Sequence, residues 1–130
     1  MTTNARLGAV IFGADHKRLA NFYAAMTDLP VQFADDTIVV LHSDTFELVI
    51  HKLSGEPAVD SPPIPRRDSY MKPFFPVASL ASAREKATAL GGALEPADRE
   101  WNARGFRASE AIDPEGNVIQ FREDAPWQLI

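Results

Sequence analysis

Apolar residues are spaced first for a strand and then for a helix. Residues 7–12 form an apolar, β-prone run. After Asp15, Leu19, Phe22, Tyr23 and Met26 recur at the three-to-four-residue spacing of a helix with one buried face. Asp15 is placed to cap that helix and Asp28-Leu29-Pro30 to end it. Short β-prone runs follow at 31–34, 37–42 and 46–53, divided by the turn formers Asp35-Asp36 and Ser43-Asp44. The predicted order is β, α, β, β, β.

The order then repeats. Residues 54–67 hold four prolines and little periodicity, which predicts an extended linker. Beyond it, 72–78 reads as a strand, Ser79 as a cap, 80–90 as a helix, and Gly91-Gly92 as its stop. Strands are predicted at 93–96, 106–112 and 117–123, so Asp15 and Ser79 mark the same junction 64 residues apart. The sharpest local signal is Asp113-Pro114-Glu115-Gly116-Asn117 running into Val118-Ile119-Gln120-Phe121. Pro114 pre-sets φ, Gly116 supplies a positive φ, and the alternation that follows is that of a half-buried strand, so the segment is a hairpin of fixed register.

Because strand side chains alternate between faces, the register divides them. Phe46, Leu48 and Ile50 belong under the first helix, leaving Glu47, Val49 and His51 on the other side. Ile119 and Phe121 take the helix side of the last strand and leave Val118, Gln120 and Arg122 opposite. In the strand after the linker, Phe75 and Val77 go under the helix and Lys72, Phe74 and Pro76 do not.

Composition narrows the class. A chain of 130 residues with 45% hydrophobic and 24% charged residues can bury one sizeable core and is not disordered. Its net charge of -5, with thirteen scattered Lys and Arg, lacks the concentrated basic face that nucleic acid requires. The absence of cysteine excludes disulfides, thiolate metal sites and a Cys nucleophile. No signal-like segment and no run of about twenty apolar residues is present, so a cytoplasmic protein with no membrane partner is expected.

The Asp113 to Phe121 segment resembles the glyoxalase, bleomycin-resistance and extradiol-dioxygenase superfamily, the vicinal oxygen chelate proteins. Their last strand follows Asp-Pro-x-Gly-Asn and carries a metal-ligating carboxylate three residues after the Asn. Asp15 with Phe22-Tyr23 looks like the family's first strand-to-helix junction, and Phe46-Glu47-Leu48 like that module's last strand. The resemblance implies an α+β fold: one glyoxalase-like domain over 1–130, in which two tandem βαβββ modules, about 5–53 and 71–124 with the linker at 54–70, form a cupped mixed sheet with helices outside. It also implies four metal-ligand places, falling on Gly8, Glu47, Lys72 and Gln120, and often a homodimer. Only Glu47 keeps a carboxylate there.

The implied inner wall carries Val10, Phe12, Glu47, Val49, His51, Lys72, Phe74 and Gln120, a mainly apolar lining with few polar groups, as small-molecule sites have. Glu47 is either a cup-facing acid or a residue on a solvated face. With Gly8, Lys72 and Gln120 at the other places a divalent metal is disfavoured as a cofactor, and a Lys72–Glu47 ion pair extended by Gln120 is expected instead. His51 is a displaced ligand, a general base or a partly solvated surface group. His16 and His42 read as surface residues. Trp101, Arg104 and Phe106 enter the last hairpin, where an aromatic beside a guanidinium suits a planar or anionic ligand, or where Trp101 covers the core edge.

The expected protein binds a small molecule without a metal, through Glu47, Lys72, Gln120, Phe12, Phe74, Trp101 and Arg104. Two alternatives stand beside it. One is an enzyme, either a metal-dependent lyase or dioxygenase using Glu47 and His51, or a metal-free catalyst with Glu47 as base. The other is a dimeric scaffold without ligand.

Overall fold

The computed structural model describes residues 5–55 and 59–127. Contacts divide the chain into two units, residues up to 59 and residues from 60.

In the first unit, β1 (Leu7–Gly13) leads into α1 (His16–Thr27), followed by β2 (Val31–Ala34), β3 (Ile38–His42) and β4 (Phe46–Lys52). Asp15 caps α1 by accepting the backbone N–H of Arg18, and Asp28 ends it in the left-handed region at φ 58°. The sheet order is β1-β4-β3-β2, with β1 parallel to β4 and the other pairs antiparallel. Leu19, Phe22, Tyr23 and Met26 of α1 bury against Ile11, Val39, Leu41, Leu48 and Ile50. Each fully buried large apolar side chain of this kind stabilises by about 1.5–3 kcal/mol.

The second unit repeats the order with β5 (Phe74–Pro76), α2 (Leu80–Ala89), β6 (Ala93–Leu94), β7 (Trp101–Ile112) and β8 (Val118–Trp127), plus a short 3-10 helix at Ala97–Arg99. Ser79 caps α2, and Gly91 follows the helix at φ 91°. Its sheet runs β5-β8-β7-β6, again with the first pair parallel. Here the helix offers Leu80 and the small Ala83 and Ala87, and the sheet supplies most of the bulk through Phe75, Ile119 and Phe121.

The two α+β modules, their order and the hairpin are as the sequence predicts. The boundaries differ where side chains extend or stop the ladder. β5 covers only three residues, so Lys72 precedes the strand predicted to contain it. β7 begins at Trp101 and β8 continues to Trp127, both beyond their predicted ends. The added length carries a register shift between Arg104 and Phe106, where β8 spends three residues against two of β7. Gly105 sits there at φ 84°, and Pro126, which has no N–H for the ladder, falls in the shifted stretch.

At the hairpin, Asp113 is fully buried and Oδ1 accepts the N–H groups of Glu115 and Asn117 while Oδ2 accepts from the Asn117 side chain. Part of the proline-rich segment lies on this turn: the Arg66 N–H donates to the Gly116 carbonyl at 2.8 Å, and a Cβ on Gly116 would stand 2.1 Å from the Ile64 carbonyl oxygen.

Candidate functional site

Each sheet has one face under its helix and one face opposite, and of the expected site residues Phe12, Glu47, Phe74 and Gln120 lie on the opposite faces. In the first unit Val10, Phe12 and Phe33 are 54, 53 and 52% exposed; on β1 the buried Ile11 and Gly13 alternate with Val10 and Phe12, whereas β2, which carries Phe33, is exposed along its length. Glu47, Val49 and His51 are half-buried between them. The rings of Phe12 and His51, directly paired across β1 and β4, stand 5.3 Å apart. His51 places Nδ1 2.8 Å from the Lys52 carbonyl. The Glu47 carboxylate has no hydrogen bond or ion pair among the described residues.

His16 is a correction to the sequence reading. It is buried, and Nε2 lies 3.0 Å from the Asp35 carbonyl, so it ties the start of α1 to the β2–β3 turn instead of facing solvent.

The open face of the second unit is organised by charge. Glu110, directly opposite Gln120 in the β7–β8 register, receives Arg67 Nη1 on one carboxylate oxygen at 2.6 Å and Lys72 Nζ on the other at 2.8 Å. The Lys72 ammonium and then the Arg67 guanidinium hold the Glu110 carboxyl below its ordinary range. The expected Lys72–Glu47 pair joins residues of different units; the carboxylate that Lys72 meets within its own unit is Glu110. A concavity of about 260 Å³, lined by Arg67, Tyr70, Met71, Lys72, Glu110 and Val118 among others, lies beside this pair of bonds.

Two residues along β8, Arg122 lies over two rings. Its Cζ is 3.5 Å from the centroid of Phe74 and 4.1 Å from that of Phe106, and its Nε donates to Gln120 Oε1. Arg104 stands over Phe106 at 5.1 Å. Burial, and secondarily the like charge of Arg104, push the Arg122 guanidinium down from its usual value. Trp101 is exposed at the start of β7, with no ring or cation contact to this group among the described residues.

The sequence reading did not name Arg122 or Glu110 as site residues. Strand parity places Arg122 on the open face, but its setting depends on Phe74 and Phe106 arriving from two other strands. Parity along β7 would have aligned Glu110 with Ala108 and Ile112, but nothing local shows that two cations converge on it.

Registers also relate the two sheets. Val10 lies five residues before its cap Asp15 and pairs with Val49; Phe74 lies five before Ser79 and pairs with Gln120. By position within each module Gln120 therefore corresponds to Val49, Val118 to Glu47, and Arg122 to His51. The two last strands carry different residue types at corresponding positions.

The four metal-ligand places can be tested on these atoms. Gly8 has no donor, and a Cβ there would stand 2.2 Å from the Glu47 carbonyl oxygen. Lys72 is a cation held by Glu110, and the side-chain oxygen of Gln120 is taken by Arg122. No group of three or more His, Asp or Glu suited to a metal ion gathers among the described residues. These residues do not fit a divalent cation, which needs three or four well-placed N or O donors.

Two mixed four-stranded sheets, each backed by one helix and each formed in the same β, α, β, β, β order, define a tandem βαβββ protein. The model of the glyoxalase-like domain matches residues 9–121, and the chain belongs to that family. No curated protein matches it.

Solved structures with the same fold include a glyoxalase/bleomycin resistance protein/dioxygenase family enzyme from Burkholderia phytofirmans PsJN, with TM-score 0.66, 15% identity, and 93% of this chain and 100% of that one covered. The lactoylglutathione lyase from Agrobacterium tumefaciens has TM-score 0.59 and 17% identity, covering 98% of this chain and 99% of its own. The fosfomycin resistance protein FosX from Mesorhizobium loti has TM-score 0.63 and 13% identity, with 97% and 96% covered. No helix among the described residues is long and apolar enough to cross a membrane.

Proposed function

We propose that this glyoxalase-like protein binds a small organic molecule on the open faces of its sheets and does so without the metal of its relatives. The observation that carries the metal-free reading is the bond from Arg122 to Gln120: where the family resemblance puts a ligating carboxylate, a neutral amide offers its oxygen to a guanidinium. The exposed Phe12 and Phe74, with Val10 and Phe33, support binding, because aromatic surface left uncovered beside a few polar groups is the usual lining for such ligands. Glu47, Lys72, Gln120, Trp101 and Arg104 remain the polar and aromatic anchors of this reading. Homodimeric assembly, as in many proteins of this superfamily, belongs to the same proposal and is checked by sedimentation velocity.

A second reading, catalysis with Glu47 as base, is favoured by its carboxylate standing on the open face without a hydrogen bond or ion pair among the described residues.

A thermal-shift screen of metabolites and antibiotics tests binding, since a ligand that binds the folded state raises the melting temperature by mass action. No response across the screen overturns the binding proposal. Elemental analysis of protein purified without chelator tests the rest: stoichiometric zinc, nickel, iron or manganese overturns the metal-free reading. Turnover of a ligand found in the screen, lost in Glu47→Gln, would establish the catalytic one.

A further inference from the structure

Three half-buried arginines lie in the second unit, and two of them have a carboxylate. Arg84 and Arg107 share Glu100, each meeting one of its oxygens. Arg122 has none. Its side-chain hydrogen bond goes to the amide of Gln120, the rings of Phe74 and Phe106 stand beside its guanidinium carbon, and the charge that acts on it is the like charge of Arg104. A guanidinium drawn partly out of water without a counter-ion is costly, and folding alone gives no reason to retain it.

The arrangement has the features of a prepared receptor. The Phe74 and Phe106 ring centroids stand 3.5 and 4.1 Å from the guanidinium carbon, and the Gln120 bond to Nε holds one edge of the group. The two terminal nitrogens keep their donors, with no acceptor among the described residues. A planar fork held in one orientation loses little freedom on meeting two oxygens in its own plane, the geometry of a bidentate carboxylate. Phe74, 55% exposed, leaves aromatic surface next to that fork for an apolar body attached to the acid.

We infer that Arg122, oriented by Gln120 and flanked by Phe74 and Phe106, is the recognition point for the carboxylate of a small aromatic or otherwise apolar organic acid. The inference rests on the small-molecule proposal and specifies the ligand class. Arg104 adds positive potential at the same place and disfavours cationic ligands.

Benzoate, phenylphosphonate and neutral benzamide, titrated into the full-length protein, test this. Binding is followed by calorimetry and by the Nε–Hε NMR signal of Arg122, assigned with Arg122→Lys. Benzoate is expected to bind and to shift that signal, benzamide to do neither, and Arg122→Gln to weaken benzoate at least about tenfold. Arg122→Lys, which keeps the charge but loses the fork, should weaken it by less. If Arg122→Gln does not fold, the wild-type NMR titration alone decides: benzoate binding that leaves the Arg122 signal unmoved overturns the assignment. So do equal affinities for benzoate and benzamide, tighter binding of phenylphosphonate than of benzoate, or no binding of benzoate. A neutral or cationic compound from the thermal-shift screen that binds equally to wild type and Arg122→Gln would defeat the inference and leave the small-molecule proposal standing, whereas silence throughout the screen would defeat both.

Discussion

The open faces of the two units stand on the same strand order but differ in what they do with charge. On the first, Val10, Phe12, Val49 and Phe33 share the open side with Glu47, a carboxylate with no partner among the described residues. On the second, at positions set by the same register, Glu110 collects two cations and Arg122 is held beside two rings. The contrast is sharpest where His51 and Arg122 correspond. Both lie near an aromatic ring of the neighbouring parallel strand's segment, but only Arg122 carries a fixed charge that no acid among the described residues answers. A repeated backbone thus leaves its two faces free to diverge, one toward apolar contact and one toward polar recognition.

That comparison can be broken by mutation, and the largest effect is expected away from the open faces. The Glu100 side chain is 8% exposed and bridges Arg84 of α2 and Arg107 of β7. Burial pushes its carboxyl up, but the hydrogen bonds from Arg107 and Arg84 outweigh burial and hold it below the ordinary value. Glu100→Gln should destabilise by about 3 kcal/mol in a urea titration, because two guanidinium groups lose their anion. A carboxyl lowered on folding stabilises above its unfolded value, about 4.3, and that contribution is lost as pH falls through the lowered folded value. Wild type should therefore lose stability on acidification below about pH 4 more steeply than Glu100→Gln.

Next comes Gly8→Ala in the first unit, where the new Cβ meets a backbone oxygen that no rotamer change can move. A cost of about 2 kcal/mol is expected by chemical denaturation. A neutral result would show that β1 and β4 separate easily, and would reopen the first ligand place to a side chain.

The smallest effects bear most directly on the contrast between faces. Glu110→Gln removes two partly exposed ion pairs and should cost about 1 kcal/mol. Glu47→Gln removes none and should change stability by less than about 0.5 kcal/mol. Equal costs for the two would mean that the first face is as pre-organised as the second.

Much of the fold was legible because it is written in short-range terms. The caps Asp15 and Ser79, the stops at Asp28 and Gly91, and the Asp113 to Asn117 turn each act within a few residues, and parity then fixed which of Glu47, Leu48, Gln120 and Phe121 face the helix. The candidate site was legible only in outline. Position along the chain gives the predicted face of Lys72 or Arg122 but not its neighbours, since those arrive from segments 38 and 48 residues away or from the antiparallel strand beside it. His16 misled for the same reason: a polar residue in a first helical turn looks solvated until the β2–β3 turn closes over it.

The hairpin turn reaches further than its five residues. Because Gly116 has no side chain, the Ile64 backbone can lie against it, and the Arg66 N–H is stitched to its carbonyl. The next residue is Arg67, whose guanidinium completes the pair on Glu110. A methyl group at position 116 would push this splint away and carry one counter-ion with it, so a glycine chosen for backbone shape also governs the electrostatics of a surface it does not touch.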